Sequence, residues 1–219
     1  LGYTYTAPRL SLGVNLYYMK YKDQLVPMGR INDDYDALND NVDDSYRRGV
    51  ELSASWKVSG WFTASANATF SENYTELRTV YDNDEDWNVI SDGPVALGTT
   101  KLAYSPETIA NLILDFHYGG FEAAFHTQYV GEQYFANNEN DALSLDAYCV
   151  TNLNLSYSFR TRNARRIRLG LQVNNLFNAE YENNGYGYST WFRDSPSQHT
   201  ALYFPQAPLN VLANVTVKF

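Results

Sequence analysis

The feature that most constrains this chain is the alternation of apolar and polar residues along its last segment. From Leu209 to Phe219 every odd position is apolar, and the even positions are polar except for Leu212. Successive side chains of a strand point to opposite faces, so this segment has one apolar and one polar face. Its period of two excludes a helix, whose period is 3.6 residues.

The same alternation recurs along the chain and predicts nine strands. From Phe62 to Phe70, for example, apolar residues alternate with Thr, Ser and Asn. The predicted strands are Leu1–Thr6, Arg9–Val26, Ser45–Val58, Trp61–Tyr74, Lys101–Tyr118, Phe121–Phe135, Leu145–Phe159, Arg166–Asn178 and Ala207–Phe219. Pro106 removes one ladder hydrogen bond from the fifth strand, so we expect a bulge or break there. The alternative is a short strand at Lys101–Ser105 followed by a turn.

The connections between these strands alternate between short and long. The short ones are Ala7–Pro8, Ser59–Gly60, Gly119–Gly120 and Arg160–Arg165. The long, polar ones are Pro27–Asp44, Thr75–Thr100, Ala136–Ser144 and Ala179–Gln206. Transmembrane barrels have short periplasmic turns on one rim and long extracellular loops on the other. The sequence therefore predicts an all-β, antiparallel meander that belongs to an outer-membrane β-barrel.

Composition narrows the function classes. Aromatic residues make up 16% of the chain, 19 of them Tyr, which suits aromatic belts at two membrane interfaces. A net charge of −9 argues against a nucleic-acid partner, since phosphate contacts need clustered Lys and Arg. Cys149 is the single cysteine, so no internal disulfide forms, and we expect it to act as a small apolar side chain.

Nine is an odd count, and an open nine-stranded sheet would leave two unpaired edges in lipid. Single-chain bacterial barrels normally have an even number of strands. We therefore expect residues 1–219 to be the carboxyl-terminal portion of a larger barrel.

Several segments resemble the TonB-dependent receptors, the plugged outer-membrane barrels that import scarce nutrients. They are Asn174–Tyr181 on the penultimate strand, Leu16–Val26 and Tyr46–Leu52 around an earlier loop, and the closing run to Phe219. The resemblance implies a 22-stranded barrel with a plugged lumen, of which this chain supplies about the last nine strands. The amino-terminal plug domain and the earlier strands are then absent from it.

The resemblance also implies a location and partners. The protein would lie in the outer membrane of a Gram-negative bacterium and bind a small-molecule nutrient, namely an iron chelate, cobalamin, a glycan or a peptide. Transport would be driven by the TonB complex, which acts through the plug. Barrel-assembly machinery would read the terminal Phe219, and lipid would cover the outer surface. We expect no cofactor and no catalysis.

The last long loop carries most of the candidate ligand contacts. Aromatic faces stack on sugars or planar chelates, and Arg pairs with anionic groups. The candidates are Tyr186, Tyr188, Trp191, Phe192, Arg193 and His199, joined from a neighbouring strand end by Tyr134 beside Glu132, Gln133 and Asn137. Their alternative role is to pack the loop over the barrel mouth or to extend the outer aromatic belt.

Two further groups carry weaker signals. Acidic loop residues, foremost Asp82, Asp84 and Asp86, offer oxygen ligands for calcium, but no EF-hand spacing accompanies them. We interpret them as solvated surface and expect no metal. Asp115, His117, Glu122 and His126 face the predicted lumen; they suggest a hydrolase, yet without a Ser nucleophile they are better explained as barrel wall in contact with a plug or water.

Two other functions stay open. A passive pore or structural barrel would share every strand but lack a plug. A soluble β-sandwich binding module would also show alternation, although the one-sided long loops and aromatic belts argue against it.

Overall fold

The computed structural model describes residues 1–31, 37–80, 95–137, 139–162, 165–190 and 198–218. Most of them are in strands. The strands are β1 (Gly2–Thr6), β2 (Leu10–Ile31), β3 (Ala37–Lys57), β4 (Phe62–Val80), β5 (Val95–Lys101), β6 (Thr108–Tyr118), β7 (Phe121–Val130), β8 (Gln133–Tyr134), β9 (Ser144–Leu145), β10 (Tyr148–Phe159), β11 (Arg166–Asn174), β12 (Glu182–Thr190), β13 (Gln198–Pro205) and β14 (Asn210–Lys218). A 3-10 turn at Asp141–Leu143 precedes β9. Within these ranges no helix is long and apolar enough to cross a membrane.

Nine of the strands form one antiparallel wall in the order β1-β2-β3-β4-β6-β7-β10-β11-β14. Each neighbour in the wall is also the next wall strand along the chain, so the predicted meander is confirmed. β1 and β14 lie at its two edges, and the wall is an open arc. β5 pairs with the carboxyl-terminal end of β4, while β8–β9 and β12–β13 are separate two-stranded ladders.

The strand register separates an apolar face from a polar one. Leu52, Ala68 and Ala110 stand opposite one another across β3, β4 and β6. One residue further along, Ser53 and Asn67 form a polar row with Asn111, whose Nδ2 donates to Oδ1 of Asn67 at 3.0 Å. We call the apolar face the outer face and the polar face the inner face.

Aromatic side chains mark both ends of the outer face. At the end with long loops, the rings of Tyr46 and Tyr74 stack at 5.7 Å, with Tyr18 at 6.3 Å from Tyr46. At the opposite end lie Trp56 and a Phe62–Phe116 pair. Tyr46 and Trp56 are ten residues apart on β3, or ~33 Å along a strand, which at barrel tilt corresponds to a height of ~25 Å.

The two clusters of buried apolar residues lie at the long-loop end of the wall, while Ala123, Val130 and Val150 are also buried within it. One cluster contains Val26, Val42 and Leu102, and a second contains Phe135, Leu143 and Leu145. Many large apolar residues on the outer face stay exposed, as Leu52 (43%) and Val215 (65%) show.

The structure corrects several predicted boundaries. The break expected at Pro106 is confirmed: β5 ends at Lys101 and β6 begins at Thr108, so Lys101–Tyr118 is not one continuous strand. β2 and β3 continue beyond the predicted Val26 and Ser45, because their pairing extends to Ile31 and Ala37. The predicted loop Ala179–Gln206 contains the β12–β13 hairpin, which the sequence interpretation missed.

The Asn-rich segment after β11 fixes the base of that hairpin. Asn175 has a positive φ of 51° and is 3% exposed. Its Nδ2 donates to the carbonyl oxygens of Ala179 (2.8 Å) and Ala207 (3.3 Å), and its Oδ1 accepts from the Ala179 amide. Oδ1 of Asn178 accepts from the amide of Leu209 at 2.9 Å. The two amides join both ends of the loop where it leaves and re-enters the wall.

Candidate functional site

The long connections meet at one rim and pack into what we call the loop layer. It comprises the connection of residues 131–147 with β8 and β9, the β12–β13 hairpin, residues 102–107, and the ends of β2 and β3 that lie nearest the long connections. The hairpin follows β11 and precedes β14, yet β12 contacts β2, which lies six strands from β11 and seven from β14 in the wall. The hairpin therefore reaches across the arc instead of standing above its own strands.

Phe135 fastens the connection 131–147 to the hairpin. Its side chain is 2% exposed and packs with Leu143 and Leu145. A Cβ at Gly185 would lie 2.8 Å from Cζ of Phe135, and a Cβ at Gly187 would lie 2.7 Å from Cδ2 of Leu143. Because no larger residue fits against the ring, the two glycines form the surface on which Phe135 rests.

Asn137 joins the same connection to two other loops. It is 1% exposed; its Nδ2 donates to the carbonyl of Pro27 at 2.7 Å, and its Oδ1 accepts from the amide of Ala103 at 2.6 Å. The hydroxyl of Thr100 donates to the Asn137 carbonyl at 2.7 Å. The structure thus places Asn137, predicted as a vestibule residue, inside the layer as a hub of hydrogen bonds.

Two further polar contacts hold the hairpin. The hydroxyl of Tyr104 donates to the carbonyl of Gly185 at 2.7 Å, and burial raises the pKa of Tyr104. Nδ2 of Asn140 donates to Nδ1 of His199 at 3.0 Å. His199, predicted to contact ligand, therefore contributes to the attachment of β13 to the neighbouring connection.

The hairpin register divides the predicted aromatic residues between two faces. Tyr186 stands opposite Leu202, and Tyr188 opposite Thr200. These four residues share the face that turns away from Phe135, and we call this the free face. On it Tyr186 is 43% and Leu202 46% exposed. Tyr186 and Tyr188 therefore both lie on the free face. His199 lies on the opposite face of the hairpin, which packs against Phe135 and which we call the packed face.

Tyr134 lies on β8, beside the packed face. Its hydroxyl donates to Oδ1 of Asp141 at 3.4 Å, and the ammonium of Lys101 lies 5.8 Å from its ring centroid. Burial, and after it the nearby charge of Glu132, raises the pKa of Tyr134. The phenol is thus held neutral as a hydrogen-bond donor between an acidic and a basic side chain.

Several predicted site residues lie outside the described residues. They are Trp191, Phe192 and Arg193 of the last loop, and the weak metal candidates Asp82, Asp84 and Asp86. In the part of the chain that is described, no group of three His, Cys, Asp or Glu side chains is arranged to hold a metal ion.

The inner wall carries a second polar region, near the short turns. A groove of about 750 Å³ there is lined by Asp115, His117, Glu122 and Arg168, among other residues. Oε2 of Glu122 accepts from Arg168 at 2.7 Å. Nε2 of His126 lies 3.2 Å from Oδ1 of Asn111, and among the described residues neither His117 nor His126 hydrogen-bonds a carboxylate. The geometry offers a polar wall and no oriented general base.

Sequence interpretation missed the residues that build the loop layer. The sequence predicts Phe135 at the end of a strand, and Gly185 and Gly187 within a long polar loop. The alternation of Gly and Tyr over residues 185–188 was the available signal, since it gives a strand one flat face and one aromatic face. No local pattern marks Asn137, whose partners are distant in sequence.

Comparison with known proteins identifies the fold. A model of the TonB dependent receptor-like β-barrel family matches residues 1–176. Among solved structures, the ferric yersiniabactin uptake receptor FyuA from Yersinia pestis matches all of this chain with a TM-score of 0.68 and 17% identity. The ferric citrate transporter FecA matches 98% of the chain with a TM-score of 0.65 and 14% identity. The copper transporter OprC matches 98% with a TM-score of 0.64 and 19% identity.

These matches cover 29–30% of the three solved chains. The chain thus spans less than a third of the length of these proteins. At such identities the likeness shows the fold alone, and what FyuA, FecA and OprC transport is a property of those proteins.

Proposed function

This chain belongs to the TonB-dependent receptor β-barrel family, and from that premise we propose that it supplies barrel wall and part of the ligand mouth of an outer-membrane nutrient receptor. Residues 1–219 would be the carboxyl-terminal portion of the barrel in a Gram-negative outer membrane. Earlier strands would close the open arc between β1 and β14. A plug domain would cover the polar groove around Asp115 and Glu122. Assembly through Phe219, which lies outside the described residues, is part of the same proposal.

The observation that carries this proposal is the packed loop layer over one rim of the wall. Its connections are joined by Phe135, Asn137 and Tyr104, and the hairpin reaches across the arc to β2. A loop held in one place presents its side chains in a fixed geometry, which lowers the entropic cost of binding. The free face with Tyr186 and Tyr188 is the surface so presented, and we propose it as a ligand contact.

Trp191, Phe192 and Arg193 continue the chain from β12 and are proposed to complete that contact. Tyr134 and His199 flank it and support the hairpin. In this proposal Trp191, Phe192 and Arg193 touch the ligand, whereas Tyr134 and His199 position the hairpin.

Charge narrows the ligand class. The connection 131–147 contains Glu132, Glu139, Asp141 and Asp146 but no Lys or Arg. Such a mouth repels highly anionic ligands and favours neutral or cationic ones. We therefore favour a neutral or cationic iron chelate, cobalamin, a glycan or a peptide over a highly charged anionic chelate.

Binding is tested on the purified full-length receptor that carries this sequence. The probes are a neutral ferric hydroxamate, ferric citrate, cobalamin and a neutral oligosaccharide, each titrated against tryptophan fluorescence. We expect saturable binding of one uncharged or cationic probe. Y186A/Y188A should weaken it about tenfold, since each aromatic contact contributes ~0.5–1.5 kcal/mol. Y118A, at the opposite rim, is the matched control.

Preferential binding of ferric citrate, or equal affinity of Y186A/Y188A and wild type, would contradict this assignment. Energy coupling needs a separate measurement in cells. Uptake of the bound probe should stop when TonB is deleted or the proton gradient is dissipated. Uptake that continues in both cases would identify a passive pore.

A further inference from the structure

The charges of this chain are separated between its two rims. We define the short-turn rim as the residues between β1 and β2, β3 and β4, β6 and β7, and β10 and β11, together with the four residues of each strand that adjoin them and the last four residues of β14. Eight of the 16 Lys and Arg belong to it, namely Arg9, Lys57, Arg160, Arg162, Arg165, Arg166, Arg168 and Lys218. Of the 25 Asp and Glu, only Asp115 and Glu122 do. A chain of net charge −9 thus has one strongly basic end.

Five of these cations lie between β10 and the first residues of β11, and they form two groups. Arg166 and Arg168 belong to the inner face: Nη2 of Arg166 donates to the Ser158 hydroxyl at 3.1 Å, and Arg168 pairs with Glu122. Arg160, Arg162 and Arg165 lie in the turn itself and are exposed. None of these three makes an ion pair within the described residues, so their guanidinium groups are available to an external anion.

The turn adjoins the aromatic end of the outer face. Phe159, the residue before Arg160, stacks on Tyr157 with 5.9 Å between ring centroids. Tyr157 is 52% exposed and, in the next hairpin, Tyr118 is 82% exposed. Half-exposed aromatic rings at one level of an apolar face mark the boundary between hydrocarbon and head groups. The three arginines therefore lie at the height of lipid phosphates.

We propose that Arg160, Arg162 and Arg165 bind the phosphate of an anionic phospholipid, whose acyl chains lie along Tyr157 and Phe159. This rests on the proposed placement of the outer face in a bilayer. Guanidinium groups hold phosphate oxygens through paired hydrogen bonds, which favours arginine over lysine at such a site. Apolar contact with the two rings distinguishes a lipid from free phosphate. The complementary charge and the adjacent apolar surface together specify this occupant.

The test uses native mass spectrometry of the full-length receptor in detergent with phosphatidylglycerol, phosphatidylcholine or inorganic phosphate. We compare wild type with R160Q/R162Q/R165Q. The control, K20Q/K22Q/R48Q, removes the same charge from the opposite rim. A conservative variant, R160K/R162K/R165K, keeps the charge and checks that folding is intact.

At about 1 kcal/mol per basic residue, the Gln triple variant should bind phosphatidylglycerol about 100-fold more weakly than wild type. The control should bind as wild type does. The Lys variant should bind with an affinity between those of wild type and the Gln variant, because its charge remains but the paired hydrogen bonds are lost. Phosphatidylcholine and millimolar phosphate should not compete.

Equal affinity in wild type and the Gln variant would overturn the site, as would equal loss in the control. Competition by inorganic phosphate would show a free-anion site and overturn the lipid assignment. Flotation of the receptor with phosphatidylcholine vesicles separates the two proposals. A receptor that fails to insert overturns the proposed location together with the lipid site, whereas one that inserts without selecting phosphatidylglycerol overturns the lipid site alone.

Discussion

The two rims of this wall are built by different physical means. At the loop-layer rim, long connections bury apolar side chains such as Phe135 and Leu143 to 2% exposure or less. At the short-turn rim, the connections are a few residues long, and aromatic and basic side chains stay exposed. One rim is stabilised by its own small core. The other depends on its surroundings to cover Tyr118 and Tyr157.

This difference indicates which part of the molecule can change its ligand binding without loss of the fold. The strands between the rims are specified by alternation and by backbone pairing, both of which are indifferent to which residues fill the loops. The loop layer is a separate packing unit on top of them. Substitutions in it should alter ligand binding and local stability while the wall remains paired.

The largest expected effect is that of Phe135→Ala. Truncating a buried Phe typically costs about 3–5 kcal/mol, and here the loss should be local to the loop layer. Hydrogen exchange should accelerate in residues 131–147 and β12–β13 but not in β3, β4 or β6. Phe177→Ala, at the same rim but with a ring that is 76% exposed, is the control and should change little. Exchange that accelerates equally in the wall would show that layer and wall are one cooperative unit.

Asn137→Leu should follow in size. The substitution keeps the branched shape of the side chain but removes the oxygen that accepts from the Ala103 amide, at about 1–3 kcal/mol for a buried donor left unsatisfied. We expect residues 102–107 and the outer end of β2 to become susceptible to limited proteolysis. Asn183→Leu on the exposed part of β12 is the matched variant. Equal resistance of N137L and wild type to protease would show that the hydrogen bonds of Asn137 contribute little to stability.

The sequence predicts the wall better than the loop layer for a physical reason. Strand positions follow from local alternation, as in Phe62–Phe70, because a sheet with one apolar and one polar face has a period of two. The β12–β13 hairpin was missed because Gly185 and Gly187 are usual loop residues, and only Phe135, fifty residues earlier, explains them. Within the candidate site, Tyr186 and Tyr188 are predicted to contact ligand from their chemistry alone, and that role stays a prediction. The supporting contacts of His199 and Asn137 depend on tertiary packing that no local window contains.

The effect of pH on the stability of the loop layer should distinguish Tyr104, which donates to the Gly185 carbonyl, from Tyr186 on the free face. Burial raises the pKa of Tyr104, so its neutral, hydrogen-bonding form is favoured in the folded layer. That contribution is fully present below the ordinary tyrosine pKa of about 10 and is lost as pH rises through the higher folded value. Tyr104→Phe should cost about 1 kcal/mol near neutral pH and remove this alkaline loss.

Hydrogen exchange of β12 between pH 8 and 11, corrected for intrinsic rates, measures the effect. Tyr186→Phe on the free face is the control and should keep the wild-type alkaline transition. A transition that persists in Tyr104→Phe would assign it to another group.

The smallest expected effect compares ion pairs on the two faces of the wall. Glu122 and Arg168 pair on the inner face at 2.7 Å, and Glu72 accepts from Nε of Arg48 on the outer face at 2.8 Å. All four side chains are about half exposed in this arc, so solvent screening keeps the contribution of each pair small. In the full-length receptor, a plug over the inner face would desolvate only the first pair. Removing one partner there, as in Glu122→Gln, should then cost more than Glu72→Gln, because an uncompensated arginine would remain buried. Thermal unfolding of the two variants measures the difference, and equal melting temperatures would indicate that the inner face around Glu122 stays as wet as the outer rim.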